Sequence, residues 1–358
     1  MRFHAPYMEW AKKRPVPRFD LAGSNILACS IDDIDGARDA LQLSGENENG
    51  YAPLVDAIAQ RYGVTASCVT TANGTSGANF QVFAALLEPG DDVLVESPGY
   101  DPLLGAPRLL GANIVRFERR FEEQFALDPD RVARALTPRT RLIVVTSPHN
   151  PSGVAVHRDA LEAVGRLADA AGAHVLVDEV YLDAADHAAK PAALLGEAFV
   201  STSSLTKSYG LAGLRCGWAL SAPAVAERIR RARDVIDGTG SIAAERLATL
   251  AFAQLPKLMS RATALIEANM ALVRQFVHAR PELDVVLPRT CTVVFPRLRG
   301  SNDTTAFAAR LLAERGTAIV PGRFFDAPPH FRIGFGTATS VVRDGLDELG
   351  QELALRSE

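Results

Sequence analysis

Lysine is scarce in this 358-residue chain: Lys12, Lys13, Lys190, Lys207 and Lys257 stand against thirty-three arginines. Each lysine can therefore be weighed on its own. Cysteine is scarce too. Cys29, Cys68, Cys216 and Cys291 form no C-x-x-C pair, and none lies at metal-ligand spacing from a histidine. No disulfide framework and no metal are expected, and a cytoplasmic location fits. No window approaches eighteen continuous apolar residues, so no membrane span is expected. The first twenty residues lack an apolar core of signal-peptide length. The net charge is -4 and the sequence pI about 6.0, so bulk basic attraction to nucleic acid is excluded. The run Arg228, Arg230, Arg231 and Arg233 reads as a solvated helix face.

What is present is an alternation. The length exceeds what one core supports, so two domains are expected. Between about residues 50 and 220, helical spacing over 53–62, 76–87 and 158–170 alternates with short apolar runs. Those runs are Val93–Val95, Leu142–Val145, His174–Val177 and Phe199–Thr202. Such a pattern predicts an α/β fold with a mostly parallel sheet covered on both faces. Beyond about residue 222 the spacing predicts long helices over 222–235 and 242–279. Strands at 292–295, 317–320 and 331–335 follow, with helices near 304–315 and 339–353. These predict a smaller α+β domain.

In open α/β sheets, ligands bind beyond the carboxyl ends of the strands. Four strand ends carry polar residues of interest. Gly74, Thr75 and Ser76 open a helix after Val69–Thr71; a glycine turn there presents free N–H groups to a phosphate, or is an ordinary strand-to-helix turn. Asn150, in SPHNPSG, is a hydrogen-bonding group over the sheet edge, or part of a plain Asn-Pro turn. Asp178 follows three apolar residues, and a carboxylate there needs a partner, such as a ring cation or an internal ion pair. Lys207 lies among Ser, Thr and Gly after an apolar strand. In such a pocket its pKa falls and the free amine can form an imine. Arg215 follows eight residues later and suits a phosphate. The ordered set meets the needs of pyridoxal 5'-phosphate (PLP): a phosphate cradle, an acid for the ring nitrogen, a donor to the phenolic oxygen and an imine-forming lysine.

The text NGTSGA, EPGDDVLVESPGY, SPHNPSG, VLVDEVY, SSLTKSYGLAGLRCGW and FRIGFG resembles the class I/II aminotransferases, PLP enzymes of fold type I. The resemblance runs from about Phe19 to Leu353. It implies a large PLP-binding domain over 41–255 with a mostly parallel sheet of the seven-stranded type. Residues 1–40 together with 256–358 then make the small α+β domain. Lys207 carries the internal aldimine and shuttles the proton, and Asp178 pairs with the ring nitrogen. Tyr181 and Asn150 bond the phenolic oxygen, and Tyr100 stacks on the ring. Gly74, Thr75 and Ser76 with Ser204 and Arg215 hold the phosphate. Arg332 binds the substrate carboxylate, and Gly23 lines the same site. Amino transfer between an L-amino acid and a 2-oxo acid is implied, in a homodimer with no nucleic-acid or membrane partner. Another PLP reaction, such as β-elimination, decarboxylation or oxidation, is the competing outcome on the same fold. A non-catalytic, effector-sensing regulator is disfavoured, because only about twenty residues precede the matching segment.

Two departures stand out. Where the family carries a tyrosine that reaches the neighbouring subunit's phosphate, this chain has Gly45, and Asn47 or Tyr51 is the expected substitute. His149 replaces a usual asparagine and is read as a structural loop residue rather than one facing substrate.

Overall fold

The computed structural model describes residues 5–355. Seven strands form one sheet: β1 (Val69–Asn73), β2 (Asp92–Ser97), β3 (Asn113–Glu118), β4 (Thr140–Thr146), β5 (His174–Asp178), β6 (Phe199–Ser204) and β7 (Cys216–Leu220). Their spatial order is β1-β7-β6-β5-β4-β2-β3. Only β7 runs antiparallel to its neighbours. The sequence predicts the central strands because both their faces are covered. Leu142–Val145 and Val175–Val177 are wholly buried, and such strands read as unbroken apolar runs. It misses β3, an edge strand with polar Asn113, Arg116 and Glu118, and β7, whose CGWAL text is too short and glycine-marked to stand out. The register sets Thr146, Asp178 and Thr202 side by side at the carboxyl ends of β4, β5 and β6. That edge carries the polar chemistry.

The helical stretch expected over 242–279 is two helices, Ile242–Ala253 and Leu255–His278. Pro256 accounts for the break: without an N–H and with a fixed φ it suits a helix's first turn and interrupts its interior. The longer helix packs Val273, Phe276 and Val277 against Val342, Leu346, Leu349 and Leu353 of the helix Thr339–Ala354. A three-stranded antiparallel sheet lies beside them, with Phe331–Gly334 between Val293–Val294 and Val320–Pro321. The early segment Phe19–Asp20 pairs in parallel with Thr317–Ala318, which joins that segment to this later unit.

The arginine run is not a solvated face. Its members fall about 200°, 300° and 140° around the helix Pro223–Ile236 from Arg228, so they cannot share one side. Arg230 donates to the carbonyls of Ser67 and Val69, and Arg228 to that of Ala85. Arg233 is 2% exposed, with Glu245 and Asp237 carboxylates 4.0 and 3.7 Å away. Arg228 and Arg231 stay exposed, whereas Arg233 is buried. Among the described residues no helix is long and apolar enough to cross a membrane.

Candidate active site

Asp178 ends β5 at the bottom of a cavity of about 410 Å³. The Val180 N–H donates to its Oδ1 at 3.1 Å, and Asn79 Nδ2 donates to its Oδ2 at 2.8 Å. Asn79 is itself fixed by Thr202, whose hydroxyl donates to its Oδ1 at 2.6 Å. Burial pushes the Asp178 carboxyl up to about 6, while the bonds from Asn79 and Val180 restrain the rise. Asn79 was not singled out by sequence. The signal available was an asparagine one turn after Thr75, among the apolar residues of the helix Gly74–Leu86.

Lys207 sits in the short helix Leu205–Tyr209, whose first turn is capped by Ser204 Oγ accepting from the Thr206 N–H. Its Nζ donates to Ser24 Oγ at 2.9 Å and to Asn25 Oδ1 at 2.6 Å, and lies 6.0 Å from the centre of the Tyr181 ring. Burial, reinforced by the Arg332 charge, lowers the amine to about 7; Asp178 pulls the other way. An amine so placed carries a free lone pair near neutrality, which imine formation and proton transfer both need.

At the opposite corner the helix Gly74–Leu86 starts directly from β1. Gly74 has φ +72°, and a Cβ there would lie 2.5 Å from Arg215 Nη2. Only glycine admits both that backbone and so close a guanidinium. Arg215 Nη2 donates to the Asn73 carbonyl at 3.2 Å. The hydroxyls of Thr75 and Thr206 are buried and have no hydrogen-bond partner among the described residues. Orphaned donors, a helix N-terminus and a guanidinium around one space fit a multiply charged anion.

Arg332 is wholly buried and stands behind the cavity wall. Its Nη1 donates to Asn150 Oδ1 at 2.9 Å; its Nη2 donates to the Tyr7 hydroxyl at 2.8 Å and the Ala22 carbonyl at 2.9 Å. Asn150 is anchored by its N–H, which donates to Thr146 Oγ1 at 2.9 Å. Thr146 in turn bonds Glu96, which forms a buried pair with Arg119 at 2.8 Å. Burial raises the Tyr181 phenol, which keeps its proton at neutral pH. Tyr100 meets Tyr7 edge-on at 5.8 Å. Tyr7, in the helix Pro6–Lys13, carried no signal in the sequence beyond being aromatic.

Lys207, Asp178, Asn150, Tyr181, Tyr100, Thr75, Ser76, Ser204, Arg215 and Gly23 all line this one cavity. Gly74 lies beneath Arg215 at its edge. His149 does not line it: its ring nitrogens engage Ser152 Oγ at 2.7 Å and the Pro98 carbonyl at 2.9 Å, which makes it a loop fastener. Asn47 is not free to replace the missing tyrosine. Its amide donates to the Gly240 carbonyl at 2.8 Å and to Glu245 Oε2 at 2.9 Å, so both hydrogens are used within the chain. Tyr51 is tied to the same carboxylate through its N–H at 2.9 Å, and its ring lies under Arg246.

The family model for aminotransferase class I and II matches residues 34–349. Capreomycidine synthase of Streptomyces vinaceus is 35% identical over 290 residues, covering 80% of this chain and 74% of that protein. The aspartate/prephenate aminotransferase of Thermus thermophilus is 30% identical over 351 residues, covering 89% and 86%. The solved structure of the PLP-dependent cyclase OrfR superposes with a TM-score of 0.88 at 30% identity, covering 99% of this chain and 97% of the other. The donor set at the strand ends fits pyridoxal 5'-phosphate, and the chain belongs to the class I and II aminotransferases, PLP-dependent transferases of fold type I that act on an amino acid and a 2-oxo acid.

Proposed function

We propose that Lys207 is the cofactor-bearing and proton-carrying residue of an aminotransferase whose amino acid has a neutral side chain. The observation that supports this most is the Lys207 amine itself. It is lowered to about 7 and stands in one cavity with Asp178, Asn150, Tyr181 and Arg215. In this reading Asp178 faces the ring nitrogen, and Asn150 and Tyr181 hold the phenolic oxygen. Tyr100 covers one ring face. Gly74, Thr75, Ser76, Ser204 and Arg215 anchor the phosphate. When bound, the cofactor supplies an electron-withdrawing ring that takes up the electron pair freed at the substrate's α-carbon. Arg332 receives the substrate carboxylate, which exchanges with the Tyr7 hydroxyl now on Nη2. Gly23 lines the approach. The cofactor part is residues 41–255, closed by 1–40 with 256–358.

The neutral side chain follows from charge. The only ionic side chains in the cavity wall among the described residues are Asp178, Lys207 and Arg215, and the reading commits all three to the cofactor. Met8, Ala11 and Tyr100 supply apolar surface. A screen of amino donors tests it, following conversion of the bound aldehyde form to the amine form by absorbance. Neutral donors should convert the enzyme fastest; faster conversion by aspartate or arginine overturns the substrate assignment.

A homodimer with cytoplasmic location completes the reading. Leu41, Leu43, Val235 and Ile236 are 50%, 87%, 88% and 41% exposed. Leu43 leads into the Gly45–Gly50 segment. Val235 and Ile236 lead into Asp237, which accepts from Asn73 beside Gly74. Exposed aliphatic side chains flanking the phosphate corner suit a second copy of the chain. Light scattering at micromolar concentration should give twice the chain mass; a fully active monomer contradicts it. A second reading, cyclisation or another lyase-like outcome, draws support from the names of the two relatives with synthase or cyclase activity. Failure to form a 2-oxo acid from any donor, with loss of the donor, favours it.

A further inference from the structure

The loop Ala22–Ile26 touches both ends of the proposed reaction centre. Its Ala22 carbonyl accepts from Arg332, and its Ser24 and Asn25 side chains accept from Lys207 Nζ. Ser24 and Asn25 are 182 and more residues from Lys207 in the chain, so this meeting is a product of the fold. The loop is pinned from two sides. Thr292 Oγ1 donates to the Ser24 carbonyl at 3.0 Å, and the Ile26 N–H donates to the Lys207 carbonyl at 3.2 Å. Gly334 allows the approach, since a Cβ there would lie 1.7 Å from the Gly23 carbonyl oxygen. Lysine and loop are thus fixed to each other through backbone as well as side chains.

We propose that Ser24 Oγ and Asn25 Oδ1 form a cradle that receives the free Lys207 amine, so that both are positioning residues for the proton this amine carries. This rests on the assignment of Lys207 as the cofactor-bearing lysine. An amine released from a cofactor at the end of a flexible four-carbon stem has many rotamers available. Two acceptors on a rigid loop select one of them and leave the third nitrogen position free toward the cavity. The charged groups facing the amine are few. Arg332 and Arg215 disfavour the ammonium, Asp178 favours it, and the Tyr181 ring face lies 6.0 Å away. The cradle contributes neutral acceptors only, so it orients the amine without adding a charge that would hold the proton.

That last point makes the cradle measurable without turnover. In cofactor-free protein, the rate at which an amine-selective acylating reagent labels Lys207 follows the deprotonated fraction. Peptide masses separate Lys207 from the four other lysines, all exposed, which serve as internal controls for the reagent, and circular dichroism checks the fold of each variant. Asn25→Asp places a carboxylate at the contact now 2.6 Å long. It should move the labelling midpoint to higher pH by a unit or more, slowing labelling at pH 7 by about tenfold. Asn25→Leu and Ser24→Ala should move it to lower pH. In the holoenzyme, Asn25→Leu should cut kcat by roughly ten- to a hundredfold with KM little changed, as expected for a lost acceptor to a charged donor. Unchanged midpoints in all three variants, with the other lysines labelled normally, overturn the cradle. Borohydride trapping of the cofactor on another lysine overturns the Lys207 assignment instead, and leaves the midpoint result standing.

Discussion

Lys207 should destabilise the cofactor-free protein, and Lys207→Met should relieve it. The folded amine titrates near 7 instead of the ordinary 10.5. Between those values the unfolded chain holds a proton that the folded chain has released, so stability attributable to this residue rises with pH. Below about 7 both states are protonated, and the folded state carries the full cost of a desolvated ammonium. The gap corresponds to on the order of 5 kcal/mol. Contact of the amine with the open cavity reduces this to about 2–4 kcal/mol. Methionine keeps the length of the stem and removes the charge. Cofactor-free Lys207→Met should therefore be more stable than the parent by about 2–4 kcal/mol at pH 6.5. The difference should shrink toward zero near pH 10. Asp178 favours the Lys207 ammonium, so losing that pairing in Lys207→Met offsets part of the gain at pH 6.5 and places the expected difference toward the lower end of the range. Urea unfolding of both at the two pH values is the assay. A difference that does not change with pH, or a parent more stable at pH 6.5, refutes the reasoning.

Three other outcomes follow from the site. Asn79→Leu removes the 2.8 Å donor from Asp178, so the carboxyl should titrate above its present value of about 6. Cofactor affinity, measured by titration, should fall about ten- to a hundredfold at pH 6 and less at pH 8. Gly74→Ala drives a methyl into Arg215 and strains a left-handed backbone; free phosphate and cofactor should both bind at least about tenfold more weakly by calorimetry, at a backbone cost of about 1–2 kcal/mol. Arg332→Lys keeps the charge and loses the planar fork. Steady-state kinetics should show kcat/KM down by at least about tenfold, with cofactor affinity unchanged.

The central sheet was legible because its inner strands are buried on both faces. The apolar run Val175–Val177 stops at Asp178, which marks that residue by position, whereas Asn150 lies five residues past Val145 in an Asn-Pro turn and is marked by the SPHNPSG text. Lys207 was marked by its unlysine-like setting of Ser, Thr and Gly. What stayed hidden depends on contacts between distant segments. Nothing near Ser24 or Asn25 indicates that they meet Lys207. Nothing near Tyr7 indicates a bond to Arg332. Asn47 looked available as a donor because its partners, Gly240 and Glu245, lie almost two hundred residues away. Arg233 is buried although the charge run predicts a solvated face, because the helix spreads the run around its circumference. β3 was missed because an edge strand faces solvent and carries the polar residues of a loop.

The claim on which the rest depends is the covalent link at Lys207. Borohydride reduction of the holoenzyme, followed by proteolysis and mass spectrometry, reads it out directly. With only five lysines in the chain, the assignment is unambiguous. A reduced pyridoxyl adduct is expected on the peptide carrying Lys207, and none in Lys207→Ala. An adduct on Lys12, Lys13, Lys190 or Lys257, or one that persists in Lys207→Ala, contradicts it.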